Sequence, residues 1–376
     1  MNIAHKIRIK PRRSQYEKLA RCAGTARFVY NWGLATWKKQ YESGDKPSCN
    51  KLKRELTQLK KTELEWLKDV PQAIASNAMN NLGVAYKRFF KTKKGFPKFK
   101  KRGCNESFTP VDRRFKVDSN AKTIRIRGLG VVRLCERPRF SGDVLSMTIS
   151  KESDGHWYVS LTFELETIPL KQRLGTGSVG IDLGVKSLAV LSDGSTFAPE
   201  KQYKRQDKRL KRLQRRLARQ QRSSKRRAKT KLAIGMILSS QRRRRSEYQH
   251  ELTTMIVRTF DRICIEDLNV QGMVKMRSLA RSLSDMAFGE FRRQLTYKSN
   301  WYDCLLHVVD RFFPSSKLCS ACNCKKDNLS LSDRTYECDF CDLVIDRDLN
   351  AAINLKNQIP ALGRELTLAE SGLTGA

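Results

Sequence analysis

The chain has 376 residues, enough for two or three domains, of which 39% are hydrophobic and 30% charged. No apolar run approaches the roughly 18 residues of a membrane span, and the basic opening "MNIAHKIRIKPRR" lacks an apolar signal core, so neither a membrane protein nor an exported one is expected. Seventy-five Lys and Arg against thirty-eight Asp and Glu leave a net charge of +37, a self-repelling excess that points to a polyanionic partner, nucleic acid first.

In chain order, "HKIRIK" reads as a strand ended by Pro11. Tyr16, Leu19, Ala23, Tyr30, Leu34, Trp37 and Tyr41 then recur three, four or seven apart. That spacing lines one helix face with core aromatics, and Gly24 is an expected interruption. A second helix covers "QAIASNAMNNLGVAYKRFFK" and is broken by the Gly-Phe-Pro of "KKGFPKFKKRG". From Phe108 to Glu166 apolar and polar residues alternate, and Ser153-Asp154-Gly155 is a hairpin turn, so this segment is a small antiparallel β unit. The glycines at 128–130 and 175–180 read as turns, because a phosphate loop needs a strand before it and a helix after it.

"SVGIDLGVKSLAVLSDG" places Asp182 in an apolar run. The acid fits either a metal site or the strand that cradles nucleotide phosphates in actin-like ATPases. Beyond it, residues 201–245 hold twenty Lys or Arg and a single acid, Asp207. Leu210, Leu213 and Leu217 share a face, the pattern pauses at Ser223-Ser224, and a long basic helix follows to about Thr259, giving a helical hairpin. With so few acids to pair internally, this charge is expected to meet phosphate through Lys208, Arg212, Arg215, Arg216, Arg219, Arg242, Arg243, Arg244 and Arg245. A strand "RICIEDL", a helix through "SDMAFGEFRRQLTYKSN", a strand "CLLHVVD", a Cys-rich insert and a closing helix from about Leu349 complete a mixed α/β pattern.

The insert holds Cys319-x-x-Cys322, fifteen residues, then Cys338-x-x-Cys341. Each pair offers two thiolates, and two pairs complete a tetrahedral zinc site with no open position, hence a structural one. Asn323 and Asp342 follow the pairs, where the chain often takes a positive φ that these residues tolerate. Cys324 is left out, and Cys22, Cys49, Cys104, Cys135, Cys264 and Cys304 read as small buried hydrophobes in a reducing compartment.

Strand alternation sends Val179 and Ile181 to one face and Gly180 and Asp182 to the other, and likewise separates Ile263 and Ile265 from Cys264 and Glu266. Asp348 opens a helix whose Ala352 and Leu355 pack inward. Three carboxylates gathered in one cleft would repel by about 4 kcal/mol per pair at 4 Å and an effective dielectric of 20. They would gather there only around a cation, and Mg²⁺ suits them.

The segments "GTARFVYNWGL", "GFPKFKKR", "GIDLGVKSLAV", "IEDLNVQGM" and "FFPSSKLCSACN" through "DRDLNAAINL" are those by which the chain resembles TnpB, also called OrfB. This is the transposon-encoded RNA-guided nuclease of insertion sequences, similar to compact type V CRISPR effectors. The resemblance implies an α/β multidomain chain: an RNase H-like (RuvC) mixed sheet with an inserted helical hairpin and a zinc ribbon, a helical recognition region and a small antiparallel β-barrel (wedge) domain. The implied boundaries are 1–10 for the first wedge strand, 11–103 for recognition, 104–170 for the wedge and 171–316 for the RuvC-like domain with its hairpin at about 200–260. The zinc ribbon takes 317–343, the end of the RuvC-like domain 344–360, and a tail with little to bury 361–376.

By the same resemblance, two catalytic Mg²⁺ ions are held by Asp182, Glu266 and Asp348, Asp182 bridging both, beside one structural Zn²⁺. Asp348 is chosen over Asp346 because the family's third acid precedes x-Asn-Ala-Ala. The implied partners are a guide RNA from the transposon end and a double-stranded DNA target flanked by a short motif, read in part around Gln72 to Phe90. The implied setting is the bacterial or archaeal cytosol, at the nucleoid; protein partners are not implied. The alternatives are a guide-directed repressor, which would typically have lost one or more acids, and a strand-joining transposase. An actin-like ATPase would need a second phosphate loop and a later adenosine motif, and neither is present.

Overall fold

The computed structural model describes residues 1–93, 95–110, 116–168, 170–198, 203–275, 280–330 and 333–360. The tail from 361 and the approach to the basic hairpin at 199–202 lie outside the described residues. The chain forms two compact units: Met1–Pro169 with Arg209–Ser240, and Leu170–Lys208 with Gln241–Ala376.

In the first unit, strand β1 (Asn2–Lys10) buries every second side chain, as a half-covered strand does. Helix α1 (Arg13–Glu42) follows, begun by Gln15, whose Oε1 accepts from the Arg12 N–H at 2.9 Å. Gly24 does not interrupt it. Cys22, Ala23, Thr25 and Ala26 are all buried around that position, and such packing offsets the roughly 1 kcal/mol that Gly costs a helix. Tyr16 and Tyr41 are exposed, against the expectation of a core stripe. Tyr16 stands at the rim, edge-on to Trp157 with the Lys151 ammonium 5.0 Å from its ring.

Helices α2 (Cys49–Leu59) and α3 (Gln72–Thr92) pack against α1. Gly33 lets α3 come close to α1, since a Cβ there would lie 2.9 Å from the Met79 sulfur, and Gly83 of α3 does the same for α2, where a Cβ would lie 2.6 Å from the Cys49 sulfur. Strands β2 (Ser107–Phe108), β3 (Lys116–Asp118), β4 (Thr123–Ile126), β5 (Gly130–Leu134), β6 (Asp143–Lys151) and β7 (Trp157–Glu164) join β1 in a seven-stranded antiparallel sheet. Its order is β2-β6-β7-β1-β5-β4-β3. The Ser153–Gly155 turn is tied by Asp154, which is buried and accepts from the His156 N–H and the Tyr158 hydroxyl.

Helices α4 (Tyr203–Arg219) and α5 (Lys225–Thr259) form the basic hairpin, and each lends residues to both units. Leu210, Leu213 and Leu217 meet Ile234 and Ile237 between them, while the Arg227 guanidinium donates to the Leu217 carbonyl in the last turn of α4 and to that of Gln220 just past it.

The second unit is built on a five-stranded sheet of order β10-β9-β8-β11-β12. Strands β8 (Ser178–Asp182), β9 (Ala189–Leu191) and β10 (Thr196–Phe197) run antiparallel to one another in turn, and β8, β11 (Arg262–Glu266) and β12 (Leu305–Val309) run parallel. One face carries Val179, Ile181, Ile263 and Ile265 into a core with Leu252, Ile256 and Val257 of α5. Two short helices, α6 (Val270–Met273) and α7 (Ala280–Met286), precede α8 (Phe288–Tyr302), which adds Phe288, Phe291 and Leu295 to that core. The helix expected through this stretch is in fact two, because Ala287 takes a left-handed φ of 51° that ends α7 and opens α8. The hairpin β13 (Thr335–Glu337) and β14 (Val344–Asp346) leads into α9 (Arg347–Asn357), which covers the other face. Among the described residues, no helix is long and apolar enough to cross a membrane.

Of the six cysteines expected to be buried, Cys22, Cys264 and Cys304 are. Cys49 and Cys135 are half-buried, and Cys104 is exposed in the loop that enters β2, where no apolar layer covers it.

Candidate active site and metal centre

In the parallel pair β8/β11, Ile181 stands opposite Ile265. Asp182 and Glu266, each the next residue, therefore leave neighbouring strands at the same carboxyl edge, with backbones about 4.8 Å apart. Helix α9 reaches this edge because β8 carries a glycine where the helix crosses it. A Cβ on Gly180 would lie 2.0 Å from the Ala352 carbonyl oxygen and 2.4 Å from the Lys356 nitrogen. Asp348 sits one turn before Ala352 on the same helix face. Gly180→Ala is expected to cost about 3 kcal/mol or more, since a contact with backbone cannot be relieved by a rotamer change. Thermal denaturation checks this, and an unchanged melting temperature would contradict so close an approach.

The electrostatics of Asp182 report the meeting of the three acids. Burial, then Glu266, then Asp348 push its pKa up to about 7, against the pull of Arg347 and of the Leu183 N–H. Burial also raises Glu266, opposed by the buried Ser315 hydroxyl, which donates to Glu266 Oε1. The neighbouring acid is spoken for: Asp267 pairs with Arg311 at 2.6 Å and with Arg292, and their hydrogen bonds hold it below the usual carboxylate range. Asp346 is likewise occupied, its carboxylate accepting from the Asp348 and Leu349 N–H groups as the N-cap of α9. Asp267 and Asp346 are thus taken up by their own neighbours, while Glu266 and Asp348 are the acids that bear on Asp182.

The four ribbon thiols stand closer. Cys319 and Cys341 sulfurs are 3.5 Å apart, those of Cys322 and Cys338 3.6 Å, and all four lie within 4.8 Å of one another. Among the described residues this is the one group of three or more potential ligands that tight; the carboxylates are more widely spread. Asn323 and Asp342 take φ of 60° and 55°, as expected of them, and the Asn323 N–H closes its turn on the Cys319 carbonyl at 3.0 Å. The Phe340 N–H donates to Cys338 Sγ and, as the largest influence, draws that thiol down to about 7, which favours the thiolate that a metal needs. Four convergent sulfurs fit a tetrahedral ion of the zinc type.

The sequence reading missed the ties between ribbon and cleft. Asn350 donates to the Leu318 carbonyl at 2.6 Å and accepts from the Ser320 N–H at 2.9 Å. Asn354 donates to the carbonyls of Ser315 and Leu318, at 2.8 and 2.7 Å. Both asparagines are buried on α9, and two such polar residues on an otherwise apolar helix face were the available signal. On the basic hairpin, Lys208, Arg212, Arg215, Arg216 and Arg219 are exposed, as are Arg242, Arg243 and Arg244. Arg245 is half-buried and bound to Asp285 at 3.4 Å and to the Ser284 carbonyl at 3.2 Å.

Three family profiles match the chain: OrfB_IS605, described as "Probable transposase", over residues 160–277; the Cas12f1-like TNB domain over 288–355; and a helix-turn-helix domain over 1–46. The last name does not describe the fold here, where residues 1–46 form strand β1 and the single helix α1. A protein of Streptomyces pristinaespiralis named "Putative RNA-guided DNA endonuclease" is 34% identical over 363 residues, covering 94% of this chain and 88% of the relative. "Putative RNA-guided DNA endonuclease InsQ" of Escherichia coli (strain K12) is 33% identical over 369 residues, covering 94% and 91%. Among solved structures, the protein of a Cas12f1–sgRNA–target DNA complex aligns over 95% of this chain and 99% of its own at 16% identity and a TM-score of 0.37, too loose a likeness to argue from. With relatives this similar over almost its whole length, the chain belongs to the OrfB/TnpB family of transposon-encoded proteins.

Proposed function

We propose that the protein is an RNA-guided DNA endonuclease of a transposable element, cutting at sites that match a transposon-derived guide RNA and carry a short adjacent motif. The observation that carries this reading is the convergence of Asp182, Glu266 and Asp348 from β8, β11 and α9, close enough for the last two to raise the pKa of the first. The strand order β10-β9-β8-β11-β12, with an antiparallel hairpin feeding a parallel pair, supports an RNase H-type (RuvC-like) core. Two Mg²⁺ ions held by the three carboxylates would supply a metal-activated water and charge stabilisation for an in-line phosphodiester hydrolysis. Asp182, the most desolvated of the three, would be shared between the ions. Glu266 is oriented by the Ser315 hydroxyl, and Asp348 is aimed by the capped first turn of α9. The four thiolates would hold one structural Zn²⁺, a reading supported by their close grouping.

The reading is tested by purifying the protein from cells that carry its native locus, sequencing the bound RNA and challenging the complex with plasmids randomised beside a matching target. Cuts confined to one adjacent motif are expected. No RNA of the element's end, or no cutting with Mg²⁺, would remove the proposal. The exposed arginines of α4 are proposed to grip phosphate. Replacing Arg212, Arg215, Arg216 and Arg219 together by Glu should reduce the slope of log affinity against log salt by about 3, at roughly 0.7 to 0.9 per lost phosphate contact. An unchanged slope would mean that these side chains touch no phosphate.

A further inference from the structure

From Lys87 to Arg102 the chain holds nine Lys or Arg, no Asp or Glu, and four phenylalanines among them. The structure sets the rings in one cluster. Trp37 of α1 stacks on Tyr86 of α3, with centroids 4.2 Å apart and planes 16° from parallel. Phe90 extends the stack at 6.0 Å, and Phe96 meets Tyr86 and Phe89 edge-on at 5.9 and 5.1 Å. Burial explains Tyr86, at 3% exposure, but not Phe90, Phe96 and Phe99, which are 52%, 41% and 50% exposed. The Lys38 ammonium lies 5.1 Å from the Phe96 centroid and 5.6 Å from that of Phe99. Among the described residues, Lys38, Lys87, Lys91 and Lys98 make no ion pair.

This exposed, apolar loop is fastened at its far end. Asn31 of α1 donates to the Lys100 carbonyl at 2.9 Å and accepts from the Lys100 N–H at 2.8 Å, a two-point backbone clamp. Lys100 in turn lies 4.3 Å over the Tyr30 ring. The rings are therefore presented in fixed positions, and the cost of ordering them has already been met when a ligand arrives. Exposed ring faces interleaved with unpaired cations match a polymer that alternates flat apolar bases with anionic phosphates. A protein partner would want the rings but not nine positive charges with no acid among them.

We propose that Phe90, Phe96 and Phe99, with Lys38 and the flanking lysines, form a stacking platform for an unpaired stretch of RNA. The choice of RNA rests on the proposed function, in which folded guide RNA is the resident strand and offers the loops and ends whose bases are free to splay out.

The test uses the full chain without added Mg²⁺, so that its outcome does not depend on whether the three acids cut. Binding of a fluorescent twelve-nucleotide oligouridylate, the matching oligodeoxythymidylate and an RNA duplex of the same length is measured against salt. Phe99→Ala and Phe96→Ala should each weaken oligouridylate binding by about tenfold with the salt slope unchanged, because no phosphate contact is lost. Phe99→Trp should bind as the parent does, and Phe99→Leu, which keeps the apolar bulk, should bind as weakly as Phe99→Ala. Parent-like affinity in Phe99→Ala or Phe99→Leu would overturn the platform. So would an equal loss on the duplex, and a stronger effect on the DNA strand would overturn the assignment to RNA.

Discussion

Asp182→Ala should leave guide-directed DNA binding intact while cleavage falls by more than about 100-fold, beyond the 10- to 100-fold typical of losing an outer-shell partner of a metal site. Cleavage of a matched plasmid with Mg²⁺, set beside binding of the same target, separates the two activities. Equal cutting by the variant would dismiss the carboxylate cluster as the catalytic centre. The substitution carries a second, independent signature in stability. The pKa of Asp182 is raised from 3.8 to about 7, so the native state holds a proton that the unfolded chain has already released. Without metal, the parent protein therefore loses stability relative to Asp182→Asn as pH rises from about 4, and the deficit is complete above about 7. Three units correspond to at most about 4 kcal/mol. Chemical denaturation in the absence of Mg²⁺ should show the variants converging at pH 4 and the Asn variant more stable at pH 8.

Cys338→Ser should release the zinc and impair cutting by about 100-fold, although no cysteine belongs to the cleft. Only six residues separate Cys341 from Asp348, and β14 ends on the residue that caps α9. The loop that enters the ribbon also carries Ser315, whose hydroxyl holds Glu266, and its carbonyls at Ser315 and Leu318 are gripped by Asn354. Loss of the ribbon thus releases two of the three acids at once. Apparent binding of about 10 to 16 kcal/mol at a structural zinc site is folding free energy for the module it closes. Metal analysis with a cleavage assay decides the matter: a zinc-free variant that cuts normally would uncouple ribbon and cleft.

Much of this cleft was legible because strand alternation is a short-range rule. Period two alone put Asp182 and Glu266 opposite the apolar layer, and Val179, Ile181, Ile263 and Ile265 do share one buried face. The Cys-x-x-Cys turns were legible for the same reason, down to the positive φ at Asn323 and Asp342. What no local rule supplies is register between distant segments. Nothing in "SVGID" says that Ile181 faces Ile265, or that Gly180 is glycine because a helix formed 170 residues later lies on it. Ala287 shows the converse failure. Its neighbours favour continuous helix, yet it takes a left-handed conformation where Gln249 of α5 donates to the Met286 and Ala287 carbonyls. The exposure of Tyr16 and Tyr41 marks the same limit, since a 30-residue helix outruns the surface that covers it.

Strand β1 sits in the middle of its sheet, hydrogen-bonded to β7 from Asn2↔Glu164 to Ile9↔Trp157 and to β5 beyond. Its two flanking partners are thus translated more than a hundred residues after it. At a synthesis rate of about 5 to 20 residues per second, the nascent strand spends roughly 6 to 25 seconds with both edges bare before β5 is made, and one edge stays bare until β7 follows. Its three charged outward positions, Lys6, Arg8 and Lys10, help keep it from pairing with a neighbouring ribosome's product. Slowing elongation before Trp157 should accordingly raise aggregation of the nascent protein, whereas a pause after Glu164 should not.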